Sequence, residues 1–160
     1  MLIEAARRLD PSAFELVLYG DLNTFPDYVA ELRRLAEGLP VHFRGGFDST
    51  STSDIYGQFD VLVVPSLWLE SSPLVIHEAF QAGVPVVGAR MGGIPGLVRH
   101  GEWGLTYEAF SVRALCGALL TTLVALTALL TGATASQADT TICEEFGSTT
   151  IQGRYVVQNN

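Results

Sequence analysis

Two glutamates, Glu70 and Glu78, lie eight positions apart in the stretch PSLWLESSPLVIHEAF. The pattern predicts a loop that runs into a helix beginning at Ser72, so Glu70 precedes the helix and Glu78 lies inside it. The amide groups of a helix start attract phosphate, and a carboxylate further along can accept hydrogen bonds from a pair of sugar hydroxyls. The spacing of the two glutamates therefore suits a ligand that carries both a phosphate and a sugar. The alternative is that both glutamates are ordinary solvated side chains.

The elements around this pair alternate between short apolar runs and helical patterns. Strands are predicted at residues 15–20, 41–45, 60–65 and 84–89, and helices at residues 1–9, 27–38, 53–59 and 72–82, with a short one near Leu97. The runs DVLVVP and VPVVGA are apolar throughout, which is typical of strands buried on both faces of a parallel sheet. The alternation predicts an α/β fold with a doubly wound, Rossmann-like parallel sheet.

The candidate site is expected at one edge of this sheet. In doubly wound sheets, ligands bind in a crevice beyond the carboxyl ends of the strands. The turns at those ends are rich in Gly, Ser and Pro, and they comprise Gly20-Asp21, Gly45-Gly46, Pro65 to Ser72 and Gly88 to Gly96.

Composition excludes some classes of function. The 160 residues carry a net charge of −8, which argues against a nucleic-acid partner, because nucleic-acid binding needs clustered cations. All nine cationic residues are Arg, and the chain has no Lys.

The three His and two Cys residues are scattered without metal-ligand spacing, so we expect no metal and no cofactor. The length allows one domain, or one small domain with an appendage.

The stretch PSLWLESSPLVIHEAFQAGVPVVGARMGGIPGLVRHGEWGLTY resembles the donor-binding, C-terminal domain of retaining GT-B glycosyltransferases. That family is marked by two Glu separated by seven residues, then by EA-x-x-x-G-x-PVV and a GG-x-P turn. Upstream, the pieces LIEAARRL, LYG, VHFRGGF and YGQFDVLVVPS also match. The resemblance covers about residues 1–110.

The resemblance implies a nucleotide-sugar donor as the partner and a hexosyl transfer that retains configuration. Glu70 would act in catalysis by contacting the transferred sugar, and Glu78 would bind the ribose hydroxyls. The main chain around Ser72 would contact the diphosphate, and the turn after Phe43 would lie near the base. The implied donor-binding set is Ser71, Ser72, Pro73, Leu74, Glu78, Gly45, Phe47, Gly92 and Gly93.

The chain also departs from that family. We expect it to lack the acceptor domain and the first strand of the donor half, with the Arg and Lys that hold the leaving diphosphate. In the GG-x-P turn, Gly96 stands where the family usually has Glu. Positioned cations are the usual means of stabilising a leaving diphosphate. We therefore expect the chain to be the donor-binding half of such an enzyme, with no transfer activity by itself.

The last third of the chain follows a different pattern. No charged residue lies between Arg113 and Asp139, and the apolar stretch resembles a secretory signal peptide. We expect residues 111–138 to form an apolar helix that is not integrated into the domain of residues 1–110. Residues 139–160 resemble the start of a family 12 glycoside hydrolase, and we expect an incomplete, unordered β-sandwich there. A fusion of two unrelated reading frames would account for this change of pattern. Alternatively, residues 112–124 are the final helix of the glycosyltransferase family.

Two other functions remain open from the sequence. The tail alone favours a fragment of a secreted β-glucan hydrolase, an endoglucanase. The apolar stretch at residues 112–132 is just long enough for a membrane-anchored nucleotide-sugar-binding module. For residues 1–110 we expect a cytoplasmic location, while the tail could direct secretion or associate with a membrane. The acceptor, the sugar and the base are not indicated.

Overall fold

The computed structural model of the chain describes residues 1–47, 52–131 and 153–158. Its strands are β1 (Phe14–Tyr19), β2 (Val41–Arg44), β3 (Val61–Val64), β4 (Val86–Ala89), β5 (Gly104–Tyr107) and β6 (Gly153–Gln158). Its helices are α1 (Leu2–Ala6), α2 (Pro26–Leu35), α3 (Thr52–Tyr56), α4 (Leu74–Gln81), α5 (Ile94–Leu97) and α6 (Val112–Thr131).

The described strands form one parallel sheet in the order β2-β1-β6-β3-β4-β5. The chain passes from β1 outward to β2 on one side, and from β3 outward to β4 and β5 on the other. Core clusters that include helical residues lie on both faces of the sheet. This is the doubly wound, Rossmann-like α/β fold that the alternation of strands and helices predicted, and the prediction is confirmed.

Strand β3 shows why the sheet needs helices on both sides. Val61 and Val63 belong to the cluster that contains α1 and α6, whereas Leu62 and Val64 belong to the cluster that contains α3, α4 and α5. All four β3 side chains are buried. Successive side chains of a strand point to opposite faces, so an unbroken apolar run requires a packing partner on each face.

Several element boundaries differ from the sequence predictions, and one strand was not predicted. Helix α4 begins at Leu74 instead of Ser72, because Pro73 has the extended angle ψ 121° and the residue before a proline disfavours helical geometry. Strand β4 begins at Val86, since Pro85 has no N–H to donate to a ladder. Strand β5 is not predicted from the sequence, because its four residues are too few to show a period.

Helix α6 packs on the sheet, so the expectation of an apolar helix outside the domain is wrong. Leu115, Cys116, Leu119 and Leu123 recur at helical spacing, are at most 2% exposed and belong to the core cluster that contains α1 and β1. Apolar residues also occupy the other faces of α6, which hid this stripe in the sequence. The window Val112–Leu129 is apolar and long enough to cross a membrane, but core helices meet the same criterion.

Strand β6 lies in the middle of the sheet. Its ladder with β1 runs over six pairs, from Phe14 with Gly153 to Tyr19 with Gln158, and its ladder with β3 covers Val61 and Leu62. We expected residues 139–160 to form an unordered start of a β-sandwich, whereas the structure places 153–158 in the Rossmann-like sheet. The rest of that expectation falls on residues 139–152 and 159–160, outside the described residues.

Candidate functional site

The loop between β3 and α4 holds Glu70 by a side-chain hydrogen bond. Ser66, buried just after β3, donates its hydroxyl to Glu70 Oε1 at 2.8 Å. Glu70 itself is half-buried. An ionised carboxylate offers about four acceptor positions, so this bond orients the side chain and leaves capacity for a ligand. Glu70 is predicted from the sequence, whereas Ser66 is not, because a serine after a strand has no distinguishing pattern.

The GG-x-P turn after β4 packs directly on the main chain of that loop. Gly93 N–H donates to the Glu70 carbonyl oxygen at 2.7 Å. A Cβ added at Gly92 would lie 2.3 Å from the Glu70 carbonyl oxygen, and one added at Gly93 would lie 1.9 Å from that of Ser71. Gly92 also has φ +54°, which favours glycine. The structure thus brings four predicted site residues together, and only glycine fits at two of them.

The start of α4 follows from the same loop. Pro73 occupies the N-cap position and accepts the Ile76 N–H at 3.1 Å. The hydroxyl of Ser72 lies 2.8 Å from His77 Nε2. The Ser72 side chain is therefore hydrogen-bonded to a side chain of α4 instead of capping the helix. Ser71, Ser72 and Leu74 are exposed. The first amides of an α-helix have no acceptor within it, so this exposed start retains the predicted capacity for an anion.

Glu78 is held from a neighbouring helix by Tyr56. The Tyr56 hydroxyl, at the end of α3, donates to Glu78 Oε2 at 3.1 Å, and the Tyr56 side chain is only 1% exposed. Burial, and secondarily the negative charge of Glu78, raise the pKa of Tyr56 well above its usual range. Tyr56 therefore keeps its proton at neutral pH and remains a donor. Tyr56 is not predicted from the sequence, because no local pattern pairs α3 with α4.

We expect Tyr56→Phe to lower the free energy of unfolding by about 0.5–1.5 kcal/mol, because the buried hydroxyl and its bond to Glu78 are lost. Urea denaturation measures the change. Tyr28→Phe is the matched control, since Tyr28 is 54% exposed and should tolerate the same deletion without effect. Identical midpoints for Tyr56→Phe and the unmodified chain would contradict a structural role for this bond.

The turn after β2 contacts the end of β1 through aromatic rings. Phe47 packs edge-on against Tyr19, with ring centroids 5.2 Å apart, and Tyr19 also contacts Phe59 at 6.0 Å. Gly45 is exposed, and a Cβ added there would meet no atom within 4 Å. Residues 48–51 of this turn lie outside the described residues. Phe47 is thus anchored to β1, whereas Glu70 and Glu78 are anchored beyond β3.

The topology of the sheet predicts that these turns border one crevice. The connections that follow β1 and β3 leave in opposite directions, and such a switch of direction opens a crevice at the carboxyl edge of a parallel sheet. The turn bearing Phe47 lies on one side of the switch, and the loop bearing Glu70 lies on the other. Within the described ranges, no three His, Cys, Asp or Glu side chains are grouped so as to hold a metal ion.

Comparison with known proteins gives the family. The family profile described as Glycosyl transferases group 1 matches residues 1–124. The chain belongs to the group 1 glycosyl transferases. The match runs into α6 as far as Val124, which supports the alternative that residues 112–124 are the family's final helix. It gives no support to a signal peptide, a hydrolase-like start or a fusion of reading frames.

The chain also aligns with the sequences of several named enzymes and with solved structures. Sulfoquinovosyl transferase SQD2 of Arabidopsis thaliana is 39% identical over 84 residues, covering 52% of this chain and 16% of that protein. The D-inositol 3-phosphate glycosyltransferase of Corynebacterium glutamicum (strain R) is 40% identical over 105 residues, covering 63% and 24%. The crystal structure of Anabaena Alr3699/HepE in complex with UDP and glucose superposes with a TM-score of 0.70 and 30% identity, covering 79% and 35%.

The chain spans only 16% to 35% of the length of these proteins. The similarity confirms that the described sheet is the Rossmann-like fold found in GT-B glycosyltransferase structures. The site residues Glu70, Glu78 and their neighbours stay predictions, because the comparisons do not test individual positions.

Proposed function

We propose that this chain binds a nucleotide-sugar donor and forms the donor-binding half of a retaining hexosyltransferase. The similarity to Anabaena Alr3699/HepE carries the proposal, since that protein was solved with UDP and glucose, with UDP-glucose and with UDP. The site geometry supports it. Two half-buried carboxylates are each oriented by a hydroxyl, and they flank an exposed helix start that suits a phosphate.

The roles proposed for the residues are those that the family resemblance implies. Glu78 accepts hydrogen bonds from the ribose hydroxyls with the acceptor capacity that Tyr56 leaves on its carboxylate. The main chain from Ser71 to Leu74 contacts the diphosphate, and Glu70 contacts the transferred sugar. Gly92 and Gly93 keep the Glu70 loop in place, while Gly45 and Phe47 lie near the base.

Transfer by this chain alone is expected to be absent. Charge develops on the leaving diphosphate in the transition state and is usually stabilised by positioned cations, and this chain has no Lys. With this function we also propose that no metal cofactor is used and that residues 1–110 are cytoplasmic.

Membrane anchoring through α6 is a second candidate. It rests on the apolar window Val112–Leu129, 33% of which is buried in the structure. Insertion into a bilayer would remove Leu119 and Leu123 from the core cluster that they share with α1 and β1. The packed arrangement therefore favours the donor-binding half without an anchor.

We expect Glu78→Ala to weaken the binding of a nucleoside diphosphate by about 1–3 kcal/mol, which is roughly 5–150-fold in Kd, because the ribose loses its carboxylate acceptor. Calorimetric titration with UDP, GDP and ADP measures the change. Glu31→Ala is the matched control, because Glu31 is an exposed glutamate on α2.

Equal affinity of Glu78→Ala and the unmodified chain would remove Glu78 from the site. Failure of the folded, unmodified chain to bind any of the three nucleotides would overturn the proposed function. Transfer of glucose from UDP-glucose by this chain alone would contradict the expected inactivity.

A further inference from the structure

Strand β6 is the single described strand that joins the two halves of the sheet by backbone ladders. On one side it pairs with β1, which pairs with β2, and on the other it pairs with β3, which leads to β4 and β5. Among the described strands, β1 and β3 have no ladder with each other. Without β6, each half-sheet would present an open edge of unpaired N–H and C=O groups.

The two halves are also the two walls of the crevice. Phe47 and Tyr19 belong to the β1–β2 half, whereas Glu70, Glu78 and the GG-x-P turn belong to the half containing β3 and β4. The register places Gln158 beside Tyr19, so the carboxyl end of β6 lies at the edge that carries the crevice. The ladders of β6, together with the core clusters that span both halves, therefore set the separation of the walls.

We propose that the edges of β1 and β3 form a strand-acceptor groove, filled by residues 153–158 of the same chain, and that filling it is thermodynamically coupled to nucleotide binding in the crevice. The coupling rests on the proposed function; the groove does not. Residues 132–152 link α6 to β6, and a fully extended segment of this length spans about 70 Å. The six-stranded sheet is only about 24 Å wide, so the segment can reach the groove within one chain.

The coupling follows from linkage. If a ligand binds only when both walls are in place, it raises the equilibrium constant for insertion of β6. The factor is one plus the ratio of the ligand concentration to its Kd. By reciprocity, a ligand that favours insertion of β6 must itself bind more tightly to the chain with β6 inserted. Amide hydrogen exchange measures the opening of individual elements, so it reports insertion separately from binding.

The first test uses the full, unmodified chain. We expect the amides of β6 to exchange at least about 100-fold more slowly than those of the synthetic peptide QGRYVVQNN, because opening of a central strand is rare. With UDP at about 100 times its Kd, β6 exchange should slow by up to a further 100-fold or so. Helix α2 is the internal control, because none of its residues is buried and its local exchange should not respond.

Exchange of β6 at the rate of the free peptide would overturn the groove. Protected β6 amides that are unchanged by bound UDP would overturn the coupling and leave the proposed function intact. Protected β6 amides in a chain that binds no nucleotide would overturn the proposed function, and the coupling with it, while supporting the groove.

A second test breaks the ladder and restores it in trans. Val156 pairs with Val17 and with Leu62, and Val156→Pro removes its N–H, whereas Val156→Thr retains it. We expect Val156→Pro to speed amide exchange in β1 and β3 at least about tenfold relative to Val156→Thr, and added QGRYVVQNN to reverse this. The same peptide carrying proline in place of its first valine, Val156, should have no effect.

Equal exchange in the two variants, or a failure of the peptide to restore protection, would overturn the groove. Sedimentation identifies the chain that supplies the strand: a monomer supports insertion within one chain, and a dimer that the peptide dissociates would overturn it in favour of strand exchange between copies.

Discussion

Leu119→Ala in helix α6 should lower the free energy of unfolding by about 2–5 kcal/mol, the range for a leucine deleted from a packed core. Leu119 is 2% exposed and packs in the cluster that contains α1 and β1. It also borders a small apolar cavity with Leu2 and Phe14, which the truncation would enlarge. A larger residual cavity places the expected loss in the upper part of the range.

Leu129→Ala is the matched control for this prediction. It makes the same deletion on the same helix, but Leu129 is 81% exposed, so the free energy of unfolding should change by less than about 0.5 kcal/mol. Urea denaturation of both variants measures the difference. Equal midpoints would show that α6 does not pack on the sheet in solution, and would favour a separate apolar helix or a membrane anchor.

Gly93→Ala should lower the free energy of unfolding by about 2–4 kcal/mol and weaken UDP binding, because overpacking and the loss of a main-chain hydrogen bond act together. The new methyl group would lie 1.9 Å from the Ser71 carbonyl oxygen, so one of the two turns must move. Movement would break the bond from Gly93 N–H to the Glu70 carbonyl and displace Glu70. Urea denaturation and UDP calorimetry measure the two effects.

Gly96→Ala is the control in the same segment. Gly96 lies in α5, and an added Cβ would meet no atom within 4 Å. Alanine is the better helix former, so this variant should be unchanged or slightly more stable, by up to about 1 kcal/mol. A Gly93→Ala chain as stable as Gly96→Ala, with unaltered UDP affinity, would show that the contact between the two turns is not needed.

Much of the fold was predictable because its signals are local. The run DVLVVP indicates a strand buried on both faces whatever its neighbours are, and the structure confirms this for Val61 to Val64. The glycines of the GG-x-P turn and the spacing of Glu70 and Glu78 are likewise readable from consecutive residues. They placed the candidate site at the carboxyl edge of the sheet.

The tertiary structure alone decided which distant segments meet. Tyr56 and Glu78 are 22 positions apart and pair only because α3 and α4 pack on the same face of the sheet. The buried stripe of α6 was hidden because a helix that is apolar on every side carries no sign of which face will be covered. The position of β6 in the sheet was equally hidden. Its β-prone residues predict a strand, but the partners of a parallel strand lie far away in the sequence, so no local pattern identifies them.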